Sequence, residues 1–260
     1  MKAIVLSAGQ GKRLLPLTES RPKCLLPFAG RPLLEWQLRA LAMQGVTEAV
    51  VVVGFAAEAV EAALQRLDVP GLRVRTLFNP FYSVADNIGS CYVALPEMVG
   101  DFLVLNGDTL FEPAVLETLL ANATAPVTVT IDRKERYDAD DMKVCLDGGR
   151  RLLAIGKTLP ADSVDGESIG MLLFRGDGGK HFAGSIQAVI SEAEGTRRWY
   201  LSAIDRLAQN SDAVEVVSIE GHQWGEVDFP ADVERARRLV EGWVAAGRFA
   251  LPEVDQRLSA

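Results

Sequence analysis

Residues 3 to 13 read Ala3-Ile4-Val5-Leu6-Ser7-Ala8-Gly9-Gln10-Gly11-Lys12-Arg13, and shortly afterwards the chain carries Arg21-Pro22-Lys23. A short apolar run that opens directly into a Gly-x-Gly turn is the pattern of a buried strand delivering a loop to the edge of an α/β sheet. Glycines at 9 and 11 let backbone N–H groups approach an anion with no Cβ in the way, while Lys12, Arg13 and Lys23 bring positive charge to the same place. That combination is what a triphosphate needs. Two other phosphate loops start similarly and fail on spacing. A dinucleotide fingerprint wants glycine where Leu14 stands, and a P-loop wants Ser or Thr after Gly11-Lys12, where Arg13 stands.

The pattern that is present, Gly-x-Gly-x-Arg followed by Pro16-Leu17-Thr18 and Pro22-Lys23, resembles the signature loop of the nucleotidyltransferases that join an NTP to a sugar phosphate or a phosphoalcohol. The resemblance runs from about Met1 to Arg238 and implies an α/β chain with a Rossmann-like three-layer α/β/α fold and a mostly parallel central sheet. It also implies nucleotide contacts from Leu6, Ala8, Gly9, Gly11, Lys12, Arg13 and Lys23, with Arg13 and Lys23 as the catalytic cations at the phosphorus and the leaving pyrophosphate. Lys12 departs from the family, which usually has Thr or Ser there. The plainer alternative, a glycine turn with incidental surface charge, is disfavoured by the combined pattern.

Hydrophobic periodicity extends the same architecture along the chain. Leu33 to Met43 has helical spacing behind a proline and stops at Gly45, ahead of the strand Ala49 to Val53, giving a β-α-β unit. A helix over Ala56 to Leu67, strands over Val74 to Phe78 and Phe102 to Leu105, and a helical segment from Asp86 to Leu95 continue it. After the strand Val127 to Ile131 the rhythm breaks into a charged run, Asp132 to Asp141, and short β-like pieces around Lys143-Val144 and Leu152 to Ile155. We read this as an insertion of approximately 132–166, a small acceptor-side lobe within a single domain of 1–260. A strand over Ser168 to Phe174, helices over Phe182 to Glu192 and Leu201 to Ala208, a strand over Val214 to Ile219 and a helix over roughly Ala231 to Ala246 return to the main pattern.

With 260 residues, 48% of them hydrophobic, the chain can bury a full core. A net charge of −8 argues against a general polyanion-binding face, so nucleic acid is not an expected partner. Cys24, Cys91 and Cys145 are scattered, with no CxxC, which suggests neither a disulfide framework nor a zinc site and fits a reducing cytoplasm. No signal-peptide pattern and no membrane span is expected.

The strand Phe102 to Leu105 ends in Asn106-Gly107-Asp108, which places a carboxylate at the sheet edge where α/β proteins bind ligands. Facing a triphosphate, Asp108 would be expected to hold Mg²⁺; the alternative is a turn residue capping the next helix. In Trp224-Gly225-Glu226-Val227-Asp228, alternation sends both carboxylates to one face, and the family pattern implies Asp228 as the second metal ligand. A strand end before a Pro-started helix is the alternative.

Asn79-Pro80-Phe81-Tyr82 and the later Asn87-Ile88-Gly89-Ser90 look like the segment that builds the base pocket in CTP:phosphocholine, phosphonate and inositol-phosphate cytidylyltransferases. That resemblance implies nucleotide contacts from Tyr82, Asn87, Ser90 and Asp108, and CTP as the nucleotide; a plain helix cap at Asn87 or Ser90 is the other reading. Ile155-Gly156-Lys157 resembles the acceptor-phosphate lysine of the inositol-phosphate branch, against a solvated lysine at a turn. Asp140-Asp141-Met142-Lys143-Val144 is a further marker without an assigned role. Trp199, Tyr200, Trp224 and Tyr137 are candidates for a cation–π wall, with Glu226 or Glu194 beside them, or else for ordinary packing.

The expected reaction is therefore transfer of CMP from CTP to a small phosphorylated or phosphonate acceptor with release of pyrophosphate, the acceptor meeting Lys157, Glu226, Tyr200 and Trp199. The alternatives are a sugar-1-phosphate uridylyl- or guanylyltransferase and, in another class, a non-catalytic nucleotide-binding regulatory domain. A homodimer is the family-level expectation.

Overall fold

The computed structural model describes residues 1–249. In the first half of the chain lie β1 (Lys2–Leu6), β2 (Pro27–Phe28), β3 (Arg31–Pro32), α1 (Leu33–Met43), β4 (Glu48–Val53), α2 (Ala57–Gln65), β5 (Arg73–Phe78), α3 (Asn87–Val93), β6 (Phe102–Asn106), β7 (Thr109–Phe111) and α4 (Pro113–Asn122). There follow β8 (Val127–Asp132), β9 (Lys143–Leu146), β10 (Leu152–Gly156), β11 (Gly166–Phe174), α5 (Gly178–Ile190), α6 (Leu201–Asn210), β12 (Val214–Ser218), β13 (Trp224–Glu226) and α7 (Pro230–Ala245).

Strands β6, β1, β4 and β5 run parallel in that order, with β1 at the centre in register Leu6↔Asn106 on one side and Leu6↔Val52 on the other. Alternation along β1 supplies both faces: Ala3 and Val5 enter the core under α1, α4 and α7, while Ile4 and Leu6 enter the one under α3, α5 and α6. This is the expected three-layer arrangement. Beyond β6 the sheet turns antiparallel through β11, whose far edge carries β8 and then β12. The other edge of β11 is shared by β6 over Met171–Phe174 and by β9 over Gly166–Glu167. The charged insertion thus extends the sheet as β9 and β10, beside the C-terminal ends of β1 and β6, where the chemistry is expected.

Two expectations are corrected. Helix α5 starts at Gly178, ahead of the predicted Phe182, and ends at Ile190; the Gly178-Gly179 pair hid its first turn because glycine is a poor helix former. The pairing of β13 with β7 was not predicted, since alternation over 224–228 marks an extended segment without reporting its partner. Among the described residues no helix is long and apolar enough to cross a membrane. The part of the expected single domain beyond residue 249, like any further segment there, lies outside the described residues.

Candidate active site

The glycine loop leaves β1 and is drawn tight by Thr18, a fully buried residue whose Oγ1 donates to the Gly11 carbonyl at 2.8 Å. Gly11 adopts φ +78°, a left-handed conformation that costs glycine nothing, and its missing Cβ leaves room for the Lys23 stem, which would lie 3.0 Å away. Lys23 reaches across the loop from there. At the end of β6, Gly107 lets the turn press against β1: an added Cβ would sit 2.2 Å from Ser7 Oγ and 2.6 Å from the Leu6 carbonyl. Behind that turn the buried Gln37 of α1 donates to the carbonyls of Asn106 at 2.7 Å and Thr109 at 2.9 Å, clamping the peptide that bears Asp108. Sequence reading missed Gln37. Its signal was a lone amide in an otherwise buried helical stretch, a group that must find hydrogen-bond partners.

Asp228 is brought opposite by the β7–β13 ladder. Glu226 pairs with Thr109, and the Val227 N–H donates to the Asp108 carbonyl at 3.1 Å. The Asp232 carboxylate then accepts from the N–H groups of Asp228 at 3.0 Å and Phe229 at 2.7 Å, capping α7 and fixing the loop. Helix α4 begins after Glu112, so Asp108 is not its cap.

Two cavities of about 270 and 290 Å³ meet at a shared wall of Lys23, Asp86, Asn87, Asn106 and Asp108. The first is lined by Leu6, Ala8, Gly9, Gly11, Lys23, Tyr82, Asn87, Ser90 and Asp108, all named from the sequence as nucleotide contacts. Lys12 lies outside both cavities, its exposed side chain lining a neighbouring groove with Gln10, Arg13, Phe55, Tyr82 and Ser83. The second cavity brings Arg13, Lys157, Trp199, Tyr200, Glu226 and Asp228 together. It also includes Asp140, Asp141, Glu167 and Trp224.

An unbroken chain of ion pairs crosses the second cavity. Lys157 meets Asp140 at 2.5 Å, Asp140 meets Arg13 at 2.5 Å, Arg13 meets Asp228 at 2.7 Å, and Lys23 joins Asp228 at 2.7 Å to Asp108 at 2.6 Å. Burial alone would lower the Lys23 pKa, but Asp108 and Asp228 outweigh it and hold the ammonium above its ordinary value. Hydrogen bonding from Lys157, joined by Arg13, holds Asp140 below the usual carboxylate range despite some desolvation. Burial, reinforced by Asp108 and Asp228, pushes Glu226 up to about 8, and burial raises Glu167 to about 7 against the opposing pull of Lys134. Among the described residues, Asp108 Oδ1 is buried with no hydrogen-bond partner, and so is the hydroxyl of Tyr200.

Several readings from the sequence are settled by this geometry. Helix α3 is capped by Asp86, whose side chain accepts from the Asn87 N–H at 2.7 Å, so neither Asn87 nor Ser90 is the cap. Ser90 Oγ accepts from Asn79 Nδ2 at 3.0 Å. The aromatic wall is only partly assembled. The face of Trp199 is covered by Lys157 at 4.6 Å, and Tyr137 lies outside the cavity lining under Lys134 at 5.7 Å. The Tyr200 ring is fully buried against Phe182, and Trp224 Nε1 donates to Asp132 at 2.8 Å. Glu194 pairs with Arg197 at 3.0 Å, away from both cavities.

The profile of the MobA-like NTP transferase domain matches residues 3–218, and the chain belongs to that family. Over 99% of its length it is 31% identical to the CMP-5'-(3-aminopropyl)phosphonate synthase of Streptomyces rubellomurinus, while spanning only 40% of that relative. It is 22% identical to the CTP:phosphoglutamine cytidylyltransferase of Campylobacter jejuni, over 90% of this chain and 98% of the relative. The inositol-1-phosphate CTP transferase of T. maritima superposes with a TM-score of 0.76 at 22% identity, covering 92% of this chain and 96% of that one, which is a likeness of fold.

Proposed function

We propose that this nucleotidyltransferase moves CMP from CTP to a phosphate or phosphonate oxygen of a small aminated acceptor and releases pyrophosphate. The observation that carries this reading is the single wall, built around Lys23 and Asp108, that separates a glycine-loop cavity from a charged cavity holding Lys157 and Glu226. The two reactants would meet there, on either side of the atoms that react. Relatives named for CTP, aminopropylphosphonate and phosphoglutamine support the choice of nucleotide and acceptor class.

Lys23 and Arg13 would exchange their carboxylate partners for phosphate oxygens, placing fixed positive charge where the leaving pyrophosphate accumulates negative charge. Lys157 would hold the acceptor's anionic end and so aim its oxygen at the α-phosphorus, the new P–O bond forming as the bond to pyrophosphate breaks. No covalent nucleophile is needed. With the Trp199 face already covered by Lys157, recognition of the acceptor's ammonium falls to Glu226, which lines the cavity and, among the described residues, feels Lys23 only through space, without an ion pair or side-chain hydrogen bond. An ammonium beside that carboxyl favours its charged form.

Asp108 and Asp228 fit a divalent cation: two carboxylates converge on one ammonium, and among the described residues Asp108 Oδ1 is buried without a hydrogen-bond partner. We propose that they hold Mg²⁺, an ion that takes one or two carboxylates and completes its shell with phosphate oxygens and water. Bound there, it would supply neutralising charge to the α-phosphate.

The test is pyrophosphate release with CTP, UTP, GTP, ATP and dTTP against 2-aminoethylphosphonate, phosphocholine, inositol phosphate and sugar 1-phosphates, with and without Mg²⁺. Release with CTP and an aminated acceptor, abolished by chelation, is expected. Release only with a sugar 1-phosphate would overturn the acceptor assignment, and nucleotide binding without release would favour a regulatory role.

A further inference from the structure

Asn87 belongs to both cavities, and its amide is used asymmetrically. Its Oδ1 accepts from the backbone N–H of Tyr200 at 2.8 Å, across a sequence separation of 113 residues. A backbone N–H can only donate, so the chemistry of this bond fixes which way the amide faces. The NH₂ end is therefore turned away from Tyr200, and no protein acceptor is recorded for it among the described residues. A second bond from the Asp86 N–H to the Thr196 carbonyl, 2.8 Å long, staples the same two segments together. One joined segment carries Tyr82 and Ser90 of the nucleotide cavity; the other carries Trp199 and Leu201 of the acceptor cavity.

We infer that Asn87 is a positioning residue that ties the two substrate sites together, its carbonyl oxygen holding the start of α6 and the acceptor wall while its NH₂ group meets the nucleotide base. This inference rests on the proposed function for the identity of the two substrates. Cytosine presents acceptors at O2 and N3, either of which suits an amide donor. Binding of the base would then hold the side chain in the orientation that keeps Tyr200 in place, so a filled nucleotide cavity steadies the wall of the acceptor cavity.

Asn87→Ala removes both ends of the link, whereas Asn87→Asp keeps an oxygen for the Tyr200 N–H and removes the donors. We expect Asn87→Ala to speed hydrogen exchange at the Tyr200 amide about tenfold and to raise KM for both CTP and 2-aminoethylphosphonate by about five- to tenfold, the scale of one lost hydrogen bond. Asn87→Asp should return the Tyr200 amide to near wild-type exchange and the acceptor KM to within about threefold, while KM for CTP stays raised. In the wild type, CTP should slow exchange at Tyr200, and in Asn87→Ala it should not. Unchanged exchange at Tyr200 in Asn87→Ala, or an Asn87→Asp enzyme whose acceptor KM matches that of Asn87→Ala, would overturn the inference. The exchange measurement without nucleotide needs no turnover, so it still judges the Asn87–Tyr200 link if CTP proves not to be the substrate.

Discussion

The cavity above the glycine loop is walled by Leu6, Ser7, Ala8, Gly9 and Gly11, whereas the one across Lys23 and Asp108 is walled by Arg13, Asp140, Lys157, Glu167, Glu226 and Asp228. Their volumes, about 270 and 290 Å³, are too close for size to distinguish them. Material does. One side of the first is backbone and small residues at a strand end, which leave few side-chain torsions to set. The second is made from charged side chains, all but Glu226 held by a partner of opposite sign, and its shape therefore changes with charge, salt and occupancy.

Lys23 is a cation that both sides share, so removing it should blur the difference between them. Lys23→Ala is expected to lower turnover by roughly two to three orders of magnitude, the usual cost of one preorganised electrostatic stabiliser. Turnover within a factor of a few of wild type would detach Lys23 from the reaction. Lys157→Ala should sharpen the contrast: we expect KM for the acceptor to rise by about tenfold or more, as for a lost charge-assisted hydrogen bond, with KM for CTP within about threefold. Equal effects on both substrates would mean that Lys157 does not distinguish the sides.

The acceptor side should also respond to pH. Glu226 is raised from an ordinary 4.5 to about 8, so the folded chain binds the proton more tightly than the unfolded one. Its stabilising share is present in full below pH 4.5 and is lost as pH rises through 8. Thermal midpoints of the metal-free wild type should therefore fall over that window, and Glu226→Gln should flatten the fall by about a few degrees, leaving the part due to Glu167. A pH profile unchanged by Glu226→Gln would remove the carboxyl from this account. The smallest effect is expected at Asp140, which is about half exposed and competes for Arg13. Asp140→Ala should tighten CTP binding by about two- to threefold at low salt and by less at high salt, as suits an exposed ion pair. Weaker binding at all ionic strengths would mean that Asp140 assists the nucleotide.

The same contrast explains what could be read from the chain alone. Strand β1, its glycine loop and the unit β1–α1–β4 were legible because apolar runs, glycines and a helix-starting proline act locally. The nucleotide contacts expected of Leu6, Ala8, Gly9 and Gly11 came from the resemblance of that loop, and these residues line the first cavity. The convergence of Arg13, Asp140 and Lys157 was not legible, since it depends on β9 and β10 joining the sheet beside β11. No periodicity in a charged run reports such a long-range pairing. Lys12 and Arg13 show the limit at its finest. They are neighbours in one turn, both cationic, and only Arg13 reaches the cavity lined by Lys157 and Glu226.

The β7–β13 ladder has a mechanical consequence. Because backbone bonds join the Asp108 carbonyl to the Val227 N–H and pair Thr109 with Glu226, the gap between the main chains that bear Asp108 and Asp228 is set before anything enters it. The proposed cation would thus meet two acids mounted on a caliper of fixed gauge, and neither strand would have to move to receive it.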